Sequence, residues 1–365
     1  MALEIEPLPG LFAGWLGNAF GWVPAREVRA SCERCPMCSP AAHAARPFNP
    51  ATKCCTYVPD IPNFLAGRIL RDGPPSGVGV GSLCARIAAR SGVTPLFVGR
   101  SAYYAVVVEA AGGAGFGVAP ALQCPHYDTE GAGSCSIWAN RNSVCSTWFC
   151  KHVRGNVGRL MWESVRDMLG KLEADLTVWA CERMGLGVGR IRRCLNHHAS
   201  KASVRLAGEL SGKWAGVYED HWGEWCGREE EFYRGCAEVL DGVDWADIKR
   251  IAGPATLASI AAAEQAVREA TAASWPDRVR LDEFVVRPMD GVALLLKDSP
   301  HDPVEVTWGV LHRLGLFAKS ATGAELTGCG IADHDLARLL DLRVLVPVAS
   351  DQVSDEVLPV HEATG

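Results

Sequence analysis

Ten of the fifteen cysteines lie between residues 32 and 150, and only five occupy the 215 residues that follow. Core filling does not concentrate one residue type in this way. Nine of the ten form two clusters. The first is Cys32-Glu-Arg-Cys35-Pro-Met-Cys38 with the adjacent pair Cys54-Cys55. The second is Cys124, Cys135, Cys145 and Cys150. Thiolates at such spacings are the soft ligands of zinc and of iron–sulfur clusters. Around the first cluster Pro36, Pro40, Pro47, Pro50, Pro59 and Pro62 prevent any long helix. A segment without helix or ladder needs another anchor, and a metal held at several points supplies one.

Disulfides are the competing use of cysteine. Fifteen is odd, so full pairing within one chain is impossible. The N-terminus, Met-Ala-Leu-Glu-Ile-Glu, is acidic where a signal peptide is basic, which reads as a cytoplasmic protein and a reducing compartment. Leu11 to Val23 is apolar but short and broken by glycine, so it predicts no membrane span. A formal net charge of −6 gives no electrostatic case for nucleic acid or an anionic membrane. The scattered Cys181, Cys194, Cys226, Cys236 and Cys329 read as small buried hydrophobes.

The pattern along the chain predicts an α+β protein with four parts. Residues 1–155 form an irregular cysteine-rich metal-binding domain that opens on an arm rich in Gly, Trp and Phe. Here Ile61 to Leu70 reads as a short helix, and Ser82 as the cap of another running to Arg90. Gly77-Val-Gly79-Val-Gly81 lacks the spacing of a dinucleotide loop and reads as a plain loop. Tyr103–Glu109 and Phe116–Leu122 read as a β-hairpin turning at Gly112-Gly113.

Residues 156–273 read as a helical region. Met161, Val165, Leu169, Leu172, Leu176 and Trp179 make one apolar stripe, and further helices follow at Phe232–Leu240, Asp244–Ile251 and Pro254–Ala273. Residues 274–348 read as a small winged-helix-like module. Its strands lie at Phe284–Val286, Val292–Leu296 and Val344–Val348, and its helices at Asp302–Leu314 and Asp333–Leu340. Residues 349–365 read as an acidic tail.

The segment Cys124-Pro-His-Tyr-Asp, Cys135-Ser-Ile-Trp138, Arg141-Asn142, Cys145-Ser-Thr-Trp-Phe-Cys150 resembles the second half of the zinc- or iron-chelating cysteine-cluster family of the YkgJ type. Cys32, Cys35, Cys38 and Cys54-Cys55 are similar to its first half. The resemblance covers roughly residues 30–155, with Trp138 in place of the usual Tyr and Asn142 in place of Pro. It implies metal binding and names no reaction. The flagellin-type lysine methylases share the cysteine-plus-helices layout more distantly.

The expected ligand pool is therefore Cys32, Cys35, Cys38, Cys54, Cys55, Cys124, Cys135, Cys145 and Cys150, with Cys84, His126 and His152 at its margin. Trp138, Trp148, Phe149 and Tyr127 favour an iron–sulfur cluster over zinc, because such clusters respond to solvent exclusion. Arg141, Lys151 and Arg154 place positive charge beside the thiolates. Cys194, His197, His198, His221 and Cys226 offer a minor second metal site. The expected function is a metal-binding protein with a structural or electron-transfer role. The alternative is a cluster-dependent enzyme modifying a protein or peptide held by the C-terminal module.

Overall fold

Apolar residues at helical spacing near the N-terminus give α1 (Gly10–Phe20), which buries Phe12, Trp15 and Leu16. Gly21 ends it in the left-handed region, at φ 74°. The expected arm is thus, in this stretch, a docked helix. The protein, a computed structural model, is described here for residues 8–21, 35–38, 47–130, 133–149, 152, 155–271, 277–296, 304–316, 320–341 and 344–348. Cys32, Cys150, Lys151, Arg154 and the acidic tail lie outside the described residues.

After a 3-10 turn at Pro36–Cys38 come β1 (Ile61–Pro62), α2 (Asn63–Asp72), α3 (Val78–Ala88), β2 (Phe97–Val98) and α4 (Ala102–Ala111). Next are β3 (Tyr127–Asp128), β4 (Ser134–Cys135), α5 (Ser143–Ser146) and the long α6 (Gly155–Arg183). Strands β1 and β2 pair antiparallel, as do β3 and β4.

Three local expectations fail here. Tyr103–Glu109 lies in helix α4, not a strand. Ser101 caps it by accepting from the Tyr104 N–H at 3.1 Å, and Ala102 and Ala105 are buried at helical spacing against α8 (Ala202–Leu210). Its proposed partner, Phe116–Leu122, ends in a 3-10 turn. Finally, α3 starts at Val78, so Ser82 sits inside the helix and the glycine run lies in its first turn. The run allows close packing. A Cβ on Gly79 would lie 2.8 Å from Ile137 Cγ2 and 3.0 Å from the Ser136 carbonyl oxygen.

The helical middle continues through α7 (Val188–Ala199), α8, α9 (Trp214–Trp222), α10 (Glu229–Asp241), α11 (Trp245–Ile251) and α12 (Pro254–Thr271). The predicted stripe on α6 is real: Met161, Val165, Leu169, Leu172 and Leu176 are buried, and Trp179 packs partly buried against them. One hydrophobic cluster runs from Leu8 to Ala270 and joins α1, α2, α3, α6, α10 and α12. Helices α2 and α10 touch backbone to backbone. A Cβ on Gly67 would sit 1.9 Å from the Tyr233 carbonyl oxygen.

Two carboxylates of α6 cap other helices. Asp175 accepts from the Gly253 N–H at 2.8 Å and the Thr256 hydroxyl at 2.7 Å, closing the start of α12. Glu173 does the same for α5. The long helix therefore fixes both the helical region and the turn that carries Cys145.

A second cluster, from Val279 to Leu345, holds the C-terminal strands and helices. Strand β5 (Val279–Leu281) pairs with β9 (Leu345–Pro347). Strands β6 (Val285–Met289), β7 (Val292–Leu296) and β8 (Val304–Thr307) form an antiparallel sheet in that order. The β6–β7 turn is Asp290-Gly291, with Gly291 at φ 80°. Helices α13 (Trp308–Gly315), α14 (Gly323–Gly328) and α15 (Asp333–Asp341) follow, and α15 touches α6. The helix expected from Asp302 is shorter than predicted: Val304–Thr307 pair with β7 as a strand, and Thr307 caps a helix that starts at Trp308. The architecture is mixed helix and sheet, with small antiparallel sheets. Among the described residues no helix is long and apolar enough to cross a membrane.

Candidate metal centre

Backbone hydrogen bonds tie the cysteine segments to one another. The Phe48 N–H donates to the Met37 carbonyl at 2.8 Å, joining the Cys35–Cys38 turn to the chain leading to Cys54. The Cys124 N–H donates to the Cys55 carbonyl at 2.8 Å. Strand register places Tyr127 opposite Cys135. Asn142 caps α5 by accepting from the Cys145 N–H at 3.1 Å, and its amide donates to the Asp60 carbonyl at 3.3 Å. These bonds link the turn of Cys35 and Cys38 to the stretch before Cys54, Cys55 to Cys124, and the Cys145 turn to Asp60.

The thiols act on one another electrostatically. The charge of Cys54 contributes to raising Cys38, Cys55, Cys124, Cys135 and Cys145. A hydrogen bond from the Cys55 thiol holds Cys54 down at about 7 against its burial, helped by Arg141 and Lys53. The same bond, then burial and neighbouring sulfurs, pushes Cys55 up. Burial, then the charge of Cys35 and a hydrogen bond with it, push Cys38 up to about 12. Burial pushes Cys124 up to about 12 and raises Cys135 and Cys145 too. Two sulfurs accept backbone N–H groups from the second residue onward: Cys124 from His126, and Cys135 from Ile137. Such bonds stabilise a thiolate.

Cations and aromatic rings surround these thiols. The Arg141 guanidinium lies 3.4 Å from the Trp138 ring centroid and acts on Cys54, Cys135 and Cys145. Lys53, only 9% exposed, donates to the Gly133 carbonyl at 2.9 Å and holds a left-handed backbone at φ 51°. Sequence reasoning missed it, although its place beside Cys54 was the available signal. Tyr127 is buried and Phe149 packs on Trp162 at 4.8 Å between ring centroids. Trp148 is exposed instead, edge-on to Phe116.

The margin of the ligand pool separates cleanly. Cys84 hydrogen-bonds Glu230 of α10 and leaves the cluster to the others. His152 packs edge-on against Phe149 at 6.1 Å. His126 is fully buried, and its Nδ1 lies 2.7 Å from Ser82 Oγ. Cys181, Cys194 and Cys236 are buried in the main core as expected, but Cys329 is exposed. His197 stacks on Trp214 at 4.8 Å and meets His221 at 5.2 Å, an aromatic contact more than a ligand set.

All thirteen described cysteines are free thiols. Among the described residues no group of three or more His, Cys, Asp or Glu side chains stands close enough to hold a metal ion as placed. As a donor set the cysteines suit a soft or borderline metal: several sulfurs from separate segments, backbone N–H groups on two of them, and Lys53 and Arg141 to offset their charge. The chain matches no protein-family model, no curated protein and no solved structure.

Proposed function

We propose that the chain is a metal-binding protein of the cysteine-cluster type, holding an iron–sulfur cluster in preference to zinc. The ligands would come from Cys32, Cys35, Cys38, Cys54, Cys55, Cys124, Cys135, Cys145 and Cys150. What supports this reading is the backbone bonding that joins the cysteine segments, from the Phe48 N–H to the Met37 carbonyl and from the Cys124 N–H to the Cys55 carbonyl, each at 2.8 Å. Without a metal Cys38, Cys55, Cys124, Cys135 and Cys145 are held as protonated thiols, and Cys54 is the readily ionised one. Metal binding there would require those thiols to lose their protons, so it would depend on pH. A bound cluster supplies one-electron transfer or a structural cross-link. The residues of this chain position the sulfurs, donate N–H groups to Cys124 and Cys135, and exclude water with Tyr127, Trp138 and Phe149.

Protein purified without oxygen should be coloured and contain iron with acid-labile sulfide. Colourless protein with stoichiometric zinc would replace the cluster by zinc and keep the ligands. Protein free of both metals would overturn the reading.

A second reading rests on the C-terminal unit. A three-stranded sheet followed by three helices around its own apolar cluster supports a small winged-helix-like module. Such a module suits a protein or peptide partner, on which a cluster-dependent enzyme would act. The acidic Asp333, Asp335 and Asp341 on α15 disfavour nucleic acid. Turnover of a bound peptide by metal-loaded protein would favour this reading over an electron-transfer role.

A further inference from the structure

We infer that Cys35 and Cys38 are a reversible redox pair, a dithiol that closes to a disulfide by exchange with a small disulfide such as oxidised glutathione. Closure follows from local geometry alone. Its effect on metal loading rests on the reading of the cysteines as a metal site. Cys35 opens the 3-10 turn Pro36–Cys38, and its carbonyl accepts from the Cys38 N–H at 3.1 Å. Such a turn has about 3 residues per turn and rises about 2 Å per residue, so side chains three apart stand on one side with Cα atoms about 6 Å apart. A disulfide spans Cα separations of about 4.4–6.8 Å. The side chains already meet, because the two thiols are hydrogen-bonded to each other.

The turn is anchored yet reachable. Met37, between the two cysteines in sequence, is buried, and its carbonyl accepts from the Phe48 N–H at 2.8 Å. Pro36 fixes one backbone angle of the turn. Cys35 and Cys38 are free thiols and only half-buried, so a small reagent can reach them. Cys54 and Cys55 are also hydrogen-bonded, but a bond between adjacent residues closes a small ring through a planar peptide and is strained.

In the exchange, one sulfur of the pair attacks the small disulfide as a thiolate and releases one small thiolate. The second sulfur then attacks the mixed disulfide and releases the other. The protons of the dithiol pass to the two leaving thiolates. The pair loses two electrons, and the small disulfide gains them. A closed disulfide offers no thiolate, so closure withdraws Cys35 and Cys38 from the proposed ligand set.

The test uses full-length protein isolated without oxygen and stripped of metal with a chelator. It is equilibrated with graded ratios of reduced to oxidised glutathione, quenched by alkylation and mapped by mass spectrometry. A Cys35–Cys38 disulfide should replace the dithiol as the buffer becomes oxidising and reopen as it becomes reducing. Cys38→Ser should instead trap glutathione on Cys35, because the resolving sulfur is gone. Cys35 and Cys38 alkylated throughout, or bonded to other cysteines, would overturn the inference. Zinc, or ferrous iron with sulfide, is then offered to both forms, and the oxidised protein should take up severalfold less. Equal uptake would overturn the link between closure and loading. A reversible disulfide in protein whose reduced form takes up no metal would leave the redox pair standing and overturn the cysteine centre.

Discussion

Glu173 accepts two hydrogen bonds from Ser143, one from its backbone N–H at 2.6 Å and one from its hydroxyl at 2.5 Å. Both residues are buried, and they lie on different helices. The carboxylate therefore closes the start of α5, the short helix that presents Cys145. The main core is in this way bonded directly to the cysteine region.

Burial pushes Glu173 up to about 7 from its ordinary 4.5, against the pull of the two Ser143 bonds. The folded state then prefers the protonated acid. Its stabilising contribution is complete below about pH 4.5 and is lost as pH rises through about 7. The loss amounts to about 3 kcal/mol. Glu173→Gln should flatten the fall in stability between pH 4.5 and 8, measured by urea unfolding. Parallel pH curves for the two proteins would refute this account.

His197 carries the opposite sign. Burial, then His221, Arg205 and His198, hold it down at about 4 from its ordinary 6.5. The folded state prefers the neutral ring, so the contribution is present above about pH 6.5 and disappears as pH falls through about 4. His197→Phe keeps a ring on Trp214 and removes the charge. Its urea midpoint should fall less between pH 7 and 4.5 than that of the unaltered protein. An equal fall would place the acid sensitivity elsewhere.

Cysteines of the two classes should respond differently. Cys145→Ser should lower bound metal severalfold and loosen residues 47–60, read by protease sensitivity. Cys236, fully buried on α10, is a core residue. Cys236→Ala should keep its metal and lose roughly 1 kcal/mol of stability. Equal metal loss in both variants would sink the ligand assignment.

Gly67→Ala forces a methyl group to within 1.9 Å of a backbone oxygen. Overpacking of this kind costs typically about 1–3 kcal/mol, and here no flexible side chain can yield. The melting temperature should drop by several degrees. Gly81→Ala, with nothing within 4 Å of its new methyl, should be neutral or stabilising by up to about 1 kcal/mol. A melting temperature unchanged by Gly67→Ala would contradict the packing described.

The parts of the fold legible in the sequence were those with a local period. The stripe from Met161 to Leu176 announced α6, and the apolar runs Phe284–Val286 and Val292–Leu296 announced strands β6 and β7. Helix α4 misled because Val106, Val107 and Val108 favour strands in isolation. Ser101 and the flanking alanines carried the contrary signal, and packing on α8 decided the matter. The cysteine segments were recognisable by spacing, but the backbone bonds between them, such as that from Cys124 to Cys55, were not. The supports of the site were illegible as well. Glu173 lies 30 residues from Ser143, and His126 lies 44 from Ser82, with no pattern linking either pair.

Gly67 also has a meaning for descent. Apolar side chains in a core can be exchanged for one another while volume is kept, and exposed positions drift freely. A place where a methyl group meets a backbone oxygen offers no such alternatives, because the obstacle is common to all side chains. Any protein that inherited the contact between α2 and α10 must keep glycine there, however far its cysteines have diverged. A lineage that has lost this glycine must hold the two helices further apart.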